Sequence, residues 1–189
     1  EKFGFPILIR ITTRLAHSRS AVERKELLDQ NEITLPKNPQ QFVLLPSFAR
    51  VQYKGLLNSF AGFIEDSESS PFNEYRDAKD KSLGILACGL AYNYLMENFQ
   101  DKPLNHPLLK IGQYPIPRKQ IEKIIADSDK ILVLEDGYPV VEEMIKGYLP
   151  NDKITGRLDG TLPRDGELTP NIVAKALGFE VDEFPEIPE

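Results

Sequence analysis

Leu83-Gly84-Ile85-Leu86-Ala87-Cys88-Gly89-Leu90-Ala91-Tyr92-Asn93-Tyr94-Leu95-Met96 decides the fold. Its first five residues form a short apolar run bounded by turn formers, which reads as a strand buried on both faces. After Gly89 the apolar residues Ala91, Tyr92, Leu95, Met96 and Phe99 recur at helical spacing. A strand that turns on glycine into an amphipathic helix is half of a βαβ unit. The pattern then repeats. Leu108-Leu109-Lys110-Ile111, Ile131-Leu132-Val133-Leu134 and the weaker Lys153-Ile154-Thr155-Gly156-Arg157-Leu158 read as strands. Between them, Ile121, Ile124 and Ile125 mark one helix, and Val140, Val141, Met144, Ile145 and Tyr148 mark another. Pro117 and Pro139 suit the entries of these helices, where a missing N–H costs nothing. Parallel strands need crossovers and crossover helices cover both faces, so residues 81–160 predict an α/β fold, a three-layer α/β/α sandwich.

Outward from this module the signals weaken. Ser47 is placed to cap a helix running to about Glu65, with Phe48, Val51, Leu56, Leu57, Phe60, Phe63 and Ile64 on one side. Residues 66–81 are mostly polar and read as a connector, as does the proline-bearing stretch 31–41. Thr169-Pro170 starts a short helix that Gly178 stops. Phe5-Pro6-Ile7-Leu8-Ile9-Arg10-Ile11 reads as a buried strand of an N-terminal extension, and without a sheet to receive them Ile7, Leu8 and Ile9 predict self-association or poor order. Both ends read as interior to a larger polypeptide, the last residues being a proline-rich acidic linker.

Composition limits the function. The chain has 189 residues, 41% hydrophobic and 28% charged, with a formal charge of −6. Glu180, Asp182, Glu183, Glu186 and Glu189 carry most of the excess, which leaves a nearly neutral body without a basic stripe, so nucleic acid is not an expected partner. No window approaches the roughly 18 apolar residues of a membrane span, and the cytoplasm is the expected compartment. One cysteine excludes an intrachain disulfide framework and any iron–sulfur site built from this chain's thiolates alone.

Four places carry chemistry-bearing groups. Arg10-Ile11-Thr12-Thr13-Arg14-Leu15-Ala16-His17-Ser18-Arg19 puts guanidinium, imidazole and hydroxyl groups at the end of an apolar run. Arg14 and His17 there either clamp a carboxylate or pair with acids at a surface turn, and on residue types alone the surface turn is the simpler account. Cys88-Gly89 lies where a helix N-terminus acidifies a thiol, yet no glycine-rich phosphate motif or nearby histidine accompanies it, so a small structural cysteine is the better reading. Glu135-Asp136-Gly137 suits a cation or a ribose, but a lone acidic turn before a proline-started helix more often serves capping and turn needs. His106 stands in a loop without a ligand-spaced partner, and no metal site is expected of this chain.

The pieces also stand in a recognisable order. Ile9 to Ser18, Leu83 to Tyr94, Leu109-Lys110-Ile111-Gly112-Gln113-Tyr114-Pro115-Ile116-Pro117, Ile131 to Glu143 and Leu162 to Pro170 together resemble the central region of indolepyruvate ferredoxin oxidoreductase alpha subunits. These belong to the thiamine-dependent 2-oxoacid:ferredoxin oxidoreductases. The resemblance implies that residues 1–45 are the tail of a pyrimidine-binding domain with its linker and 46–80 a connecting helix and polar loop. It makes 81–160 a module like the transketolase C-terminal domain, and 161–189 a short helix and acidic linker toward a thiamine pyrophosphate domain. It further implies oxidative decarboxylation of arylpyruvates to acyl-coenzyme A, with thiamine pyrophosphate, magnesium and [4Fe–4S] clusters in the full-length enzyme supplying the hard chemistry. The Gly-Asp-Gly motif for the diphosphate and the cluster cysteines are absent here, so none of these is expected to bind this chain alone, and the isolated chain is expected to be inactive. The implied partners are a second subunit, ferredoxin and coenzyme A, in an oligomer. Arg14 and His17 become catalytic candidates, Arg14 holding the substrate carboxylate or stabilising charge as carbon dioxide leaves, and His17 orienting it or donating a hydrogen bond. Two alternatives stand beside this one: a pyruvate or 2-oxoglutarate enzyme with the same module, and a non-catalytic subunit-interface module.

Overall fold

The structure, a computed structural model, describes residues 5–27, 29–30, 32, 35–147, 152–163 and 166–181. The acidic linker from residue 182 onward, Tyr148, parts of the 31–41 connector and Arg164-Asp165 lie outside them. The chain divides into two compact units, Glu1–Ala61 and Gly62–Glu189.

In the first unit the expected strand over Phe5–Ile11 does not form. Ile7, Leu8 and Ile9 are 79%, 98% and 84% exposed and carry no regular structure. A strand exists only through hydrogen bonds to a neighbour, and this run pairs with no described segment, so its apolar character alone does not make it one. It leads into a short helix α1, Thr13–His17, which the Thr12 hydroxyl caps by accepting the Leu15 N–H at 3.3 Å. Helix α2, Pro46–Glu68, outruns the expected span at both ends. Ser47 is not its cap. The Ala49 N–H already reaches the Leu45 carbonyl at 2.9 Å, so Ser47 sits inside the first turn and Pro46 takes the entry position that costs a proline nothing. Along α2, Phe48, Leu56 and Phe63 are half-buried, whereas Val51, Leu57, Phe60 and Ile64 are exposed.

The second unit is an α/β module. Strands β1 (Glu74–Arg76), β2 (Gly84–Cys88), β3 (Leu108–Ile111), β4 (Ile131–Leu134) and β5 (Ile154–Thr155) form one sheet in the order β1-β3-β2-β4-β5. The last four run parallel, and β1 is antiparallel to β3, with Tyr75 opposite Leu109. Helices α3 (Ala91–Glu97), α4 (Arg118–Asp127), α5 (Val140–Lys146) and α6 (Pro170–Ala176) complete it. All four strands read from apolar runs are present. β1 is a correction, because residues 66–81 were expected to be connector throughout.

Alternation along the strands builds two cores. Ile85, Ala87, Leu108, Leu132 and Leu134 turn to one face and pack with Ala91 and Leu95 of α3 and Val173 of α6. Leu86, Leu109, Ile111, Ile131 and Val133 turn to the other and pack with Ile121 and Ile124 of α4 and Val141 of α5. Every one of these except Ile121 is at most 1% exposed, and each fully buried Leu or Ile contributes about 1.5–3 kcal/mol. Helices therefore cover both faces of a five-stranded, mostly parallel sheet, which is why its central strands read as continuous apolar runs rather than alternating ones.

Candidate functional site

Arg14 and His17 lie three residues apart on α1, hence on one side of a single helical turn, and both are exposed. The Ser18 hydroxyl donates to the Leu15 carbonyl at 2.7 Å and closes the turn. The cluster read from the sequence is thus brought together locally, although it follows an irregular segment and not a strand end.

In the second unit the topology marks its own crevice. From β2 the chain passes to α3 on one face, and from β4 it passes to α5 on the other, so the strand order reverses between β2 and β4. In open α/β sheets the carboxyl ends of such strands frame the ligand crevice. Here those ends carry Cys88-Gly89 and Glu135-Asp136-Gly137. Gly89 turns with φ +54°, and its N–H goes to the Ile111 carbonyl at 2.9 Å. Burial pushes the Cys88 thiol well up, and the nearby Glu135 charge adds to this.

The acids at this end serve the backbone. The Glu135 carboxylate accepts the N–H groups of Val141 and Glu142, each at 2.9 Å, and so caps α5 from outside the helix. Asp136 Oδ1 accepts the Leu168 N–H at 2.9 Å. Arg157, only 2% exposed, donates from Nε to the Glu135 carbonyl at 3.0 Å and from Nη1 to the Pro163 carbonyl at 2.8 Å. Glu142, 1% exposed, accepts the N–H of Arg157 at 2.8 Å through Oε2 and that of Leu158 at 3.2 Å through Oε1. These bonds draw the turn after β5 against the end of β4, and Leu162 and Leu168 enter the α3-side core fully buried. Burial raises both Glu135 and Glu142 above the usual carboxylate range, although their backbone donors pull the other way.

Of these residues, Glu135 and Asp136 had been read from the sequence, with capping as one of two explanations, and capping is what the geometry provides. Glu142 and Arg157 were missed. Glu142 is one of two adjacent glutamates in the first turn of a helix, and Arg157 lies in a weak strand, so neither carries a signal that separates it from a surface charge. His106 turns Nδ1 to the Asp80 carbonyl at 3.3 Å. Among the described residues no group of three or more His, Cys, Asp or Glu stands together as a metal site. Glu135 spends both carboxylate oxygens on N–H donors and Asp136 one, so this end of the sheet does not suit a magnesium diphosphate, and one cysteine supplies only one of the four thiolates of a [4Fe–4S] cluster. No helix among the described residues is long and apolar enough to cross a membrane.

No protein-family model and no solved structure matches the chain. Sequence relatives do. Indolepyruvate oxidoreductase subunit IorA of Methanothermobacter marburgensis is 32% identical across 100% of the chain and 33% of its own length. The subunit of the same name from Pyrococcus abyssi is 33% identical across 100% of the chain and 32% of its own length. That of Methanothermobacter thermautotrophicus is 31% identical across 94% of the chain and 30% of its own length. The protein is therefore homologous along its whole length to the IorA subunit of an indolepyruvate oxidoreductase, and it spans about a third of that subunit.

Proposed function

We propose that the chain serves as the central part of an alpha subunit in a 2-oxoacid:ferredoxin oxidoreductase that decarboxylates arylpyruvates to acyl-coenzyme A and passes the electrons to ferredoxin. The observation that carries this reading is homology over the whole chain to IorA subunits whose printed name specifies indolepyruvate. In this reading residues 81–160 are a module like the transketolase C-terminal domain, and residues 1–45 close a pyrimidine-binding domain. Thiamine pyrophosphate, magnesium and the iron–sulfur clusters are held by other parts of the enzyme, as are the contacts to coenzyme A, ferredoxin and the second subunit. The working compartment is the cytoplasm.

Arg14 and His17 are this chain's share of the chemistry. The two side chains share one exposed turn of α1, and the guanidinium is of the type that binds a 2-oxoacid carboxylate with two parallel N–H donors while the imidazole fixes its orientation. In the assembled oxidoreductase, Arg14→Ala is expected to lower kcat/KM for an arylpyruvate by about a hundredfold while assembly is unchanged. Unchanged kinetics returns Arg14 to a surface role.

A second reading, a non-catalytic interface module, is favoured by the carboxyl end of the sheet, where Glu135 and Glu142 spend both carboxylate oxygens on backbone N–H groups and Asp136 spends one. Wild-type turnover in both Arg14→Ala and His17→Ala, with intact assembly, selects it.

A further inference from the structure

At the opposite end of the sheet from the crevice, a cavity of about 280 Å³ opens between the start of β3 and the end of α3. Its floor is apolar. Leu108 begins β3 and is buried, Met96 and Phe99 come from α3 and the turn after it, and Leu104 comes from the loop between α3 and β3, all three packed on the α3-side core. The volume falls just below the roughly 300–1,000 Å³ of sites for drug-sized ligands, so the cavity takes a small molecule.

The rim carries four ionisable groups, and three of them are already engaged. Glu74 grips the Arg76 guanidinium through Nε at 2.9 Å and Nη2 at 3.0 Å. Asp77 pairs with Lys81. His106 lies 3.6 Å from the Asp80 carboxylate. Lys102 is the exception. Its ammonium stands 3.4 Å from the centroid of the Phe179 ring and 5.4 Å from that of Phe99, and among the described residues it has no carboxylate within ion-pair distance. Two ring faces hold a cation in place without neutralising it. A second cavity, of about 290 Å³, lies on the other side of Lys102, but the Glu180 carboxylate lines it and disfavours an anion there.

We infer that the Met96–Leu108 cavity is a binding site for a small amphipathic carboxylate, its hydrocarbon body on Met96, Phe99, Leu104 and Leu108 and its carboxylate on the Lys102 ammonium. An apolar floor beside a cation that has no carboxylate partner among the described residues recognises an apolar acid and discriminates against its neutral isostere. The site is independent of Arg14 and His17 and of the proposed reaction.

The chain contains two methionines, Met96 in the cavity and Met144 exposed on α5, so methyl-labelled methionine supplies a reporter and a control. Hexanoate titrated into the full chain is expected to shift the Met96 methyl signal saturably and to leave Met144 in place. Hexanamide is expected to bind about fivefold more weakly, the discrimination of one partly exposed ion pair. In Lys102→Gln, whose solvent-exposed position spares the fold, the two ligands are expected to bind alike. The inference is overturned by an unresponsive Met96, by parallel movement of Met144, by equal affinity for acid and amide in the wild type, or by an acid preference that survives Lys102→Gln.

Discussion

Glu142 is buried on α5 and spends both carboxylate oxygens on the N–H groups of Arg157 and Leu158. Gly156 is required beside it, because a Cβ there would stand 2.4 Å from Glu142 Oε2. Glu142→Ala leaves both N–H groups without an acceptor, so it is expected to destabilise the fold by about 1–3 kcal/mol in urea unfolding at neutral pH. The pH dependence has a definite sign. Burial raises Glu135 and Glu142 above the ordinary value of 4.5, so each favours folding fully below that value and loses its contribution as pH rises through its own higher one. Glu142→Ala removes one of these two titrations. Its destabilisation is expected to shrink from acid pH toward neutral, and a pH-independent difference would contradict this assignment. At this scale Glu135, Asp136 and the Arg14–His17 pair were legible as chemistry-bearing groups. Glu142 and Arg157 were not, because what distinguishes them is burial, which depends on a turn following β5 and not on their own neighbours in sequence.

Strands of the module were legible wherever both faces are buried, since such a strand reads as an unbroken apolar run. β1 was not. Glu74-Tyr75-Arg76 is an edge strand three residues long, and what holds it is a side chain just outside it. Asn73, 5% exposed, donates through Nδ2 to the Ser67 carbonyl at 3.0 Å and to the Gln113 carbonyl at 3.1 Å. Its Oδ1 accepts the N–H groups of Gly112 and Gln113, both at 2.9 Å. One amide thus joins the end of α2, the entry to β1 and the exit of β3. Asn73→Ala leaves buried donors and acceptors unpaired, with an expected loss of about 2–4 kcal/mol in urea unfolding. Hydrogen exchange is expected to quicken at the amides of Glu74–Arg76 before it does in β2 or β4; protection lost uniformly across the sheet would show that Asn73 does not act on the edge. The start of α2 was misplaced for a related reason. Ser47 is a good cap by type, but Pro46 already satisfies the entry position, and the cap preference is too small to move a helix by a turn.

At the scale of the whole chain, the exposed Ile7-Leu8-Ile9 run stands against the expectation of a buried strand. Apolar side chains this exposed favour association, so sedimentation velocity is expected to show concentration-dependent oligomers. The combined substitution Ile7→Lys, Leu8→Lys and Ile9→Lys should abolish them; oligomers that persist would place the contact elsewhere, for instance on Leu57 and Phe60 of α2. The sequence by itself determined the βα alternation of the second unit, because a period near two and a period near 3.6 are local properties of apolar residues. It also determined the relation to IorA, which rests on residue order along the chain. Only the tertiary structure decided the sheet order, the antiparallel edge, and the commitment of Glu135, Asp136, Glu142 and Arg157 to a backbone network at the crevice. Those depend on which distant segments meet, and a hydrogen-bond partner many residues away leaves no periodic trace in the chain.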